Sequence, residues 1–217
     1  MIRSIYRKLF SRFGPQRWWP GDTPFEVAAG AILTQNTAWT NAHRAVLELK
    51  RRGLLEPSRL ARVPQRRLAK LIRSSGYFNQ KAKRLKAFSE FVNLRYGGSM
   101  ARMRRAPAPR LREELLGISG IGPETADSVL LYALDKPVFV VDTYTRRILA
   151  RHSLVGWDAS YDQLQDLFRK ALPRDRRLFN EYHALVVATG KGLCKRTQPR
   201  CLECPLRRVG RLVLERT

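Results

Sequence analysis

The sequence predicts an all-α protein, and three observations carry that prediction. Apolar residues recur at helical spacing through almost every segment, and helix-start and turn signals punctuate them at short intervals. The one strand-like run, Val138–Val141, is four residues long and has no partner run with which to form a sheet. The chain has 217 residues and is 44% hydrophobic, with the apolar residues spread along its length, enough for one large domain or two small ones.

Taken in order, the N-terminal stretch Met1–Gly14 is arginine-rich, carries no acid and lacks the apolar centre of a secretory signal. It is expected to be a basic helix packed on the body of the protein. Thr23-Pro24-Phe25-Glu26 reads as a capping box with proline at the first helical position, opening the apolar helix Phe25–Thr34. Asn36–Lys50 follows, with Ala38, Ala42, Ala45, Val46 and Leu49 near helical spacing. Pro64–Ser75 sets Leu68, Leu71 and Ile72 on one face and stops at Gly76; Gln80–Tyr96 does the same with Ala82, Leu85, Phe88, Phe91 and Val92 and stops at Gly97-Gly98. Met100–Arg110 is polar, basic and broken by Pro107 and Pro109, so a loop is expected. Arg110–Leu116 and Pro123–Leu134 flank a glycine hairpin, and helices over about 143–152, 160–172 and 175–189 complete the set.

Lysine and arginine number 42 against 18 acids, a formal charge of +24. Such an excess costs self-repulsion unless a polyanion offsets it. Nucleic acid is favoured over a membrane surface, because no basic amphipathic helix shows an exposed aromatic face. No run approaches the roughly 18–20 apolar residues of a membrane span. The three cysteines, Cys194, Cys201 and Cys204, cluster near the C-terminal end. They suit metal ligation in a reducing compartment better than a disulfide framework.

The most informative stretch is Leu116-Gly117-Ile118-Ser119-Gly120-Ile121-Gly122-Pro123-Glu124-Thr125-Ala126. Gly120 and Gly122 allow a tight turn and leave backbone amides open, while Pro123 starts a helix whose N-terminus carries partial positive charge. Amides converging at a helix start suit a phosphate, and Ile121 would pack inward to pin the turn. Downstream, in Val140-Val141-Asp142-Thr143-Tyr144, an acid follows an apolar run just before a helix. Asp142 can cap that helix. It can also stabilise positive charge developing on a sugar and orient a water.

Gly-Ile-Gly followed about twenty residues later by Val-Asp-Thr resembles the signature of the endonuclease III superfamily of helix-hairpin-helix DNA glycosylases, over most of the chain from Trp18 to about Cys204. The resemblance implies two helical domains with a DNA-binding groove between them. A six-helix barrel domain would cover 23–136 and contain the helix-hairpin-helix at about 111–134; the second domain would join 1–22 to 137–217 and carry a cysteine loop at 194–210. Double-stranded DNA with a damaged base would be the partner of a monomeric enzyme without membrane attachment. Leu33-Thr34-Gln35-Asn36-Thr37 is similar to the family segment that enters the DNA stack, so Gln35 would fill the gap or meet the orphan base. Gly120, Gly122 and Thr125 would hold phosphate, and so would Lys195 and Arg196 on the cysteine loop. Asp142 would be the catalytic carboxylate.

Two departures matter. Bifunctional members carry a lysine two residues after the hairpin's second glycine, where this chain has Glu124. A carboxylate forms no imine, so a monofunctional enzyme using water is implied, with Glu124 as a possible aid to that water. Cys194-x6-Cys201-x2-Cys204 matches three ligands of the family's [4Fe–4S] site, yet the fourth position is Gly210. A cluster with another fourth ligand, a three-iron cluster and no cluster all remain open, the first being favoured; zinc using His183 has little support. Relatives that excise adenine opposite oxidised guanine carry a glutamate at the place of Gly30. Trp18-Trp19-Pro20 and the Trp39 that ends Leu-Thr-Gln-Asn-Thr-Ala-Trp are similar to the branch removing 3-methyladenine and other alkylated purines. By that likeness Trp19, Pro20 and Trp39 would line the base pocket. Oxidised pyrimidines and mismatched thymine are the competing substrates. A silent binder of damaged DNA is the competing class.

Overall fold

The computed structural model describes residues 1–213, and among them every regular element is helical. Two compact units divide the chain, one spanning Trp19–Lys136 and the other combining Met1–Trp18 with the residues from Pro137 onward. The opening helix α1 (Ile2–Phe13) is amphipathic as expected, burying Ile2, Ile5 and Leu9.

The continuous unit is built around α2 (Pro24–Leu33), which is buried on all sides. That burial suits its nearly uninterrupted apolar sequence. Thr23 Oγ1 accepts from the Glu26 N–H at 3.1 Å, giving the expected cap. The Glu26 carboxylate turns instead to the Asp22 N–H and to Lys50, 3.1 Å away, which offsets its burial. Helix α3 (Trp39–Arg51) starts three residues later than Asn36, because Asn36 adopts a left-handed φ of 51°. Then come α4 (Pro57–Arg62), a short helix the apolar pattern did not announce, α5 (Gln65–Leu71) and a 3₁₀ turn over Arg73–Ser75. The long α6 (Phe78–Tyr96) ends at Gly97, whose left-handed conformation closes the last turn onto the Asn93 carbonyl.

The expected loop Met100–Arg110 is largely helical: α7 (Met100–Arg105) and α8 (Ala108–Leu116) occupy it. Ser99 caps α7 by accepting from the Arg102 N–H, and Met100 and Met103 are buried. Pro107 and Pro109 fall at the start of α8, where proline is tolerated. Helix α9 (Pro123–Ser128) runs directly into a π turn over Val129–Ala133.

Lys81 of α6 is completely buried, its ammonium donating to the Leu33 carbonyl at 2.9 Å and the Ser75 carbonyl at 2.6 Å. The carbonyl end of α2 is where a helix dipole favours a cation. Burial, with the nearby Arg84 charge, pulls its titration down from 10.5 to about 8. Below about 8 the amine is charged whether the chain is folded or not, and its desolvation counts against the fold. Between about 8 and 10.5 the folded protein sheds a proton that the unfolded chain keeps, so stability rises with pH across that window. Denaturant titrations should show this rise in the wild type and a flatter dependence in Lys81→Met. An identical pH slope in both would refute the assignment.

In the second unit, α10 (Thr143–Arg151), α11 (Tyr161–Ala171) and α12 (Arg176–Gly192) join α1. Phe139 stacks on Phe168 at 3.7 Å and meets Phe179 and Tyr182 edge-on. The Tyr182 hydroxyl donates to the Ile2 carbonyl at 2.8 Å, fastening α1 to α12. Ser160 and Gln163 form a reciprocal capping box at α11. Val138–Val141 is extended without pairing into a strand. Among the described residues no helix is long and apolar enough to cross a membrane.

Candidate functional site

The glycine hairpin joins α8 to α9. Gly120 has φ of +84°, which a residue with a side chain rarely adopts, and the Arg84 side chain lies where its Cβ would be. Gly122 caps α9 in extended conformation and faces open space, leaving that edge approachable. Ile121 is buried, as the packing argument required. Glu124 is exposed in the first turn of α9, the dipole-favoured place for an acid.

Gln35 is tied to this hairpin. Its amide nitrogen donates to the Gly120 carbonyl at 3.1 Å and to Thr125 Oγ1 at 2.8 Å, and its carbonyl oxygen accepts from Arg84. Thr125 is buried, with its hydroxyl turned to the Gln35 amide. Close in sequence to the Lys81 anchor, Tyr77 is 65% exposed with a left-handed φ of 45°. Backbone strain of that kind in a non-glycine residue often marks functional segments.

Trp19 lies at the centre of an aromatic cluster in the same unit. Trp39 meets it edge-on with ring centres 5.0 Å apart, Tyr132 tilts against it at 5.1 Å, and His43 lies 5.6 Å from Trp39. All four rings are partly exposed, and Pro20 is fully so. Gly30 makes the cluster possible: a Cβ there would stand 3.3 Å from the Trp19 ring nitrogen. Tyr132 belongs to the π turn, whose wider winding changes which residues face this side of the helix.

In the other unit, Asp142 caps α10. Its Oδ1 accepts from the Thr145 N–H at 2.7 Å and from the Thr145 hydroxyl at 2.8 Å, and the Asp142 N–H donates back to Thr145 Oγ1 at 3.4 Å, completing a capping box. Oδ2 stands 3.5 Å from His183 Nε2 of α12; the two side chains are 9% and 7% exposed. Burial alone would push the Asp142 carboxyl up. The His183 hydrogen bond and charge, with the Thr145 donors, outweigh burial and hold it below the usual carboxylate range. The carboxylate is therefore ionised at neutral pH.

Cys194, Cys201 and Cys204 line one pocket with Arg151, His152 and Arg207. Arg151 is 3% exposed and supports the cysteine loop from below, donating to the Lys195 carbonyl at 2.6 Å, the Arg196 carbonyl at 2.8 Å and Cys194 Sγ at 3.4 Å. Among the described residues its Nε is buried with no hydrogen-bond partner, and its other nitrogens bond two carbonyls and a sulfur. Burial, and the charges of Cys194 and Cys201, push the Cys204 thiol up. Gly210 cannot supply a fourth thiol in this backbone, since φ is +62° and a Cβ would collide with the His152 carbonyl. No three His, Cys, Asp or Glu side chains among the described residues converge to hold a single metal ion, and His183 faces Asp142 instead. The Lys195 and Arg196 side chains are exposed.

The family model for HhH-GPD superfamily base excision DNA repair proteins matches residues 29–174. The chain belongs to this superfamily. Its relatives include a provisionally named DNA repair glycosylase of Methanocaldococcus jannaschii, 45% identical over 95% of this chain and 94% of that protein. Endonuclease III of Thermotoga maritima is 32% identical over 95% of this chain and 91% of its own length. Among solved structures, the 3-methyladenine DNA glycosylase MagIII of Helicobacter pylori, bound to 1,N6-ethenoadenine, has a TM-score of 0.76 at 29% identity, covering 88% of this chain and 97% of that one. The HhH-GPD chain is thus a base excision repair DNA glycosylase with an endonuclease III-like, all-helical fold.

Three features of this HhH-GPD protein escape sequence reasoning. His183 meets Asp142 from another helix, Tyr132 joins the tryptophans through a π turn, and Arg84 engages both Gln35 and the hairpin. Of the contacts made by Asp142, its capping of the helix that follows was local enough to read.

Proposed function

We propose that this glycosylase removes alkylated purines from double-stranded DNA and is monofunctional, hydrolysing the N-glycosidic bond with water. The observation that carries the substrate class is the partly exposed cluster of Trp19, Trp39 and Tyr132 over Gly30. N3- and N7-alkylated purines are cationic, and the faces of aromatic rings attract cations. The likeness to a protein named as a 3-methyladenine glycosylase supports the same reading.

In this reading the damaged nucleotide leaves the stack at a cost of a few kcal/mol and its base stacks on the indoles, with Pro20 beside them. Gln35 takes up the vacated space or meets the orphan base, and Tyr77 offers a second aromatic wedge. Backbone amides at Gly120 and Gly122, with Lys195 and Arg196, take the phosphates; Thr125 serves by holding Gln35. As the C1′–N bond breaks, its electron pair goes to the base, which departs neutral because it began cationic. Positive charge on the sugar is stabilised by the Asp142 carboxylate. A water forms the new C1′–O bond and its proton passes to solvent, with Glu124 near α9's start as an aid. No protein amine stands at position 124, so the strand stays intact.

Cys194, Cys201 and Cys204 would hold an iron–sulfur cluster through three thiolates, its negative charge offset by Arg151, with the fourth ligand coming from elsewhere than Gly210. Bound there, the cluster would cross-link the loop that carries Lys195 and Arg196.

A base-release screen on duplexes carrying alkylated, oxidised, deaminated or mismatched bases tests the proposal. Release is expected fastest from 3-methyladenine or 7-methylguanine duplexes, with strand breaks only after alkali and no borohydride-trapped adduct. Preferential release of an oxidised pyrimidine or a mismatched thymine would refute the substrate class. A trapped adduct would refute the water mechanism, and no release from any lesion would leave a binder of damaged DNA.

A further inference from the structure

We infer that His183 is a positioning residue for Asp142 and a proton-operated brake on base release; the inference rests on Asp142 being the catalytic carboxylate. Of the two carboxylate oxygens, Oδ1 is fully occupied by the Thr145 amide and hydroxyl. Oδ2 is the oxygen left to face a sugar cation, and its neighbour is His183 Nε2 at 3.5 Å. Both side chains are nearly buried, so solvent screens their interaction little. A capping role alone would use Oδ1 and would not need a second helix to present an imidazole to Oδ2.

The two protonation states of His183 act differently. The neutral ring, with its hydrogen on Nε2, donates to Oδ2 and fixes the carboxylate plane while leaving its full charge for the transition state. On gaining a second proton at Nδ1 the ring becomes a cation, and the pair carries no net charge with which to stabilise a sugar cation. The surrounding groups do not substitute for this switch. On α12 itself, Tyr182 donates to the Ile2 carbonyl and Glu181 accepts from the Gln16 N–H. From α1, Tyr6 packs on Tyr182. From α10, Tyr144 is pushed up by its burial and by the Asp142 charge, and Arg147 lies over the Tyr144 ring while bonding the Cys194 and Gly190 carbonyls.

The test is the single-turnover rate of base release between about pH 5 and pH 8, on the lesion released fastest, for wild type, His183→Gln, His183→Ala and Asp142→Asn. The wild-type rate should fall toward acid, by up to about tenfold per pH unit. His183→Gln, which can donate to Oδ2 but cannot titrate in this range, should keep most of the neutral-pH rate and lose the acid fall. His183→Ala should lose it too, with a rate lowered roughly ten- to a hundredfold throughout because Oδ2 is no longer held. An acid fall that persists in both variants while Asp142→Asn is inactive would overturn the inference alone. Activity in Asp142→Asn would overturn the underlying assignment with it. Should the His183 variants fail to fold, NMR of the three histidines decides: the His183 ring signals at neutral pH should shift in Asp142→Asn, and unshifted signals would overturn the coupling.

Discussion

Replacing Asp142 by asparagine is expected to lower single-turnover base release by about a hundredfold or more, because only the charge is removed from where positive charge develops. Asparagine is isosteric and caps helices as well as aspartate, so the Oδ1 bonds to Thr145 can persist. The fold should therefore survive, with a modest loss of stability whose sign is set by titration. The folded carboxyl titrates below its ordinary value, so the ionised form adds stability at neutral pH that is lost as pH falls through the folded value. Asparagine forfeits that contribution, and the wild type should lose its advantage in acid. Damaged-duplex affinity, measured by anisotropy, should change little. Base release at the wild-type rate would remove Asp142 from the mechanism.

The second large effect is on stability. Arg151→Ala should destabilise the protein by about 3 kcal/mol, since two part-buried carbonyls and one buried sulfur lose a charged donor together. For a chain of this size that corresponds to a fall in Tm of roughly 6–12 °C. Where the cluster proposed above is bound, iron content and visible absorption of the purified protein should fall with it, because the cluster would lose its neighbouring cation. A variant with unchanged Tm would show that the loop is held by other bonds. Unchanged iron with a lower Tm would show that Arg151 supports the backbone without tuning the sulfurs.

Much of this molecule was readable wherever the determining physics is local. The caps at Thr23 and Asp142 each sit within three residues of the group they bond, and each marks a helix start in the structure. The hairpin was legible for the same reason, as two glycines, an apolar pin and a proline at a helix start. Where the physics is non-local the reading stopped. Lys81 and Arg151 look like solvated charges in a sequence this basic, and only the folded chain reveals the carbonyls they serve. His183 lies far from Asp142 along the chain and carries no local mark. Met100–Arg110 reads as a loop because two prolines and four basic residues outweigh Met100 and Met103, whose three-residue spacing is about one turn of the α-helix found there. Thr125, expected at a phosphate from its place after the hairpin, also accepts from Gln35, a contact from 90 residues away that carries no local mark.

Gly30 and Trp19 occupy one volume between them: the side chain that one lacks is the space the other fills. A longer side chain at position 30 would press on the indole, since a Cβ there already stands 3.3 Å from it, so substitutions at the two positions are expected to be coupled. If these rings hold the base as proposed, the choice of lesion would depend on the two positions together.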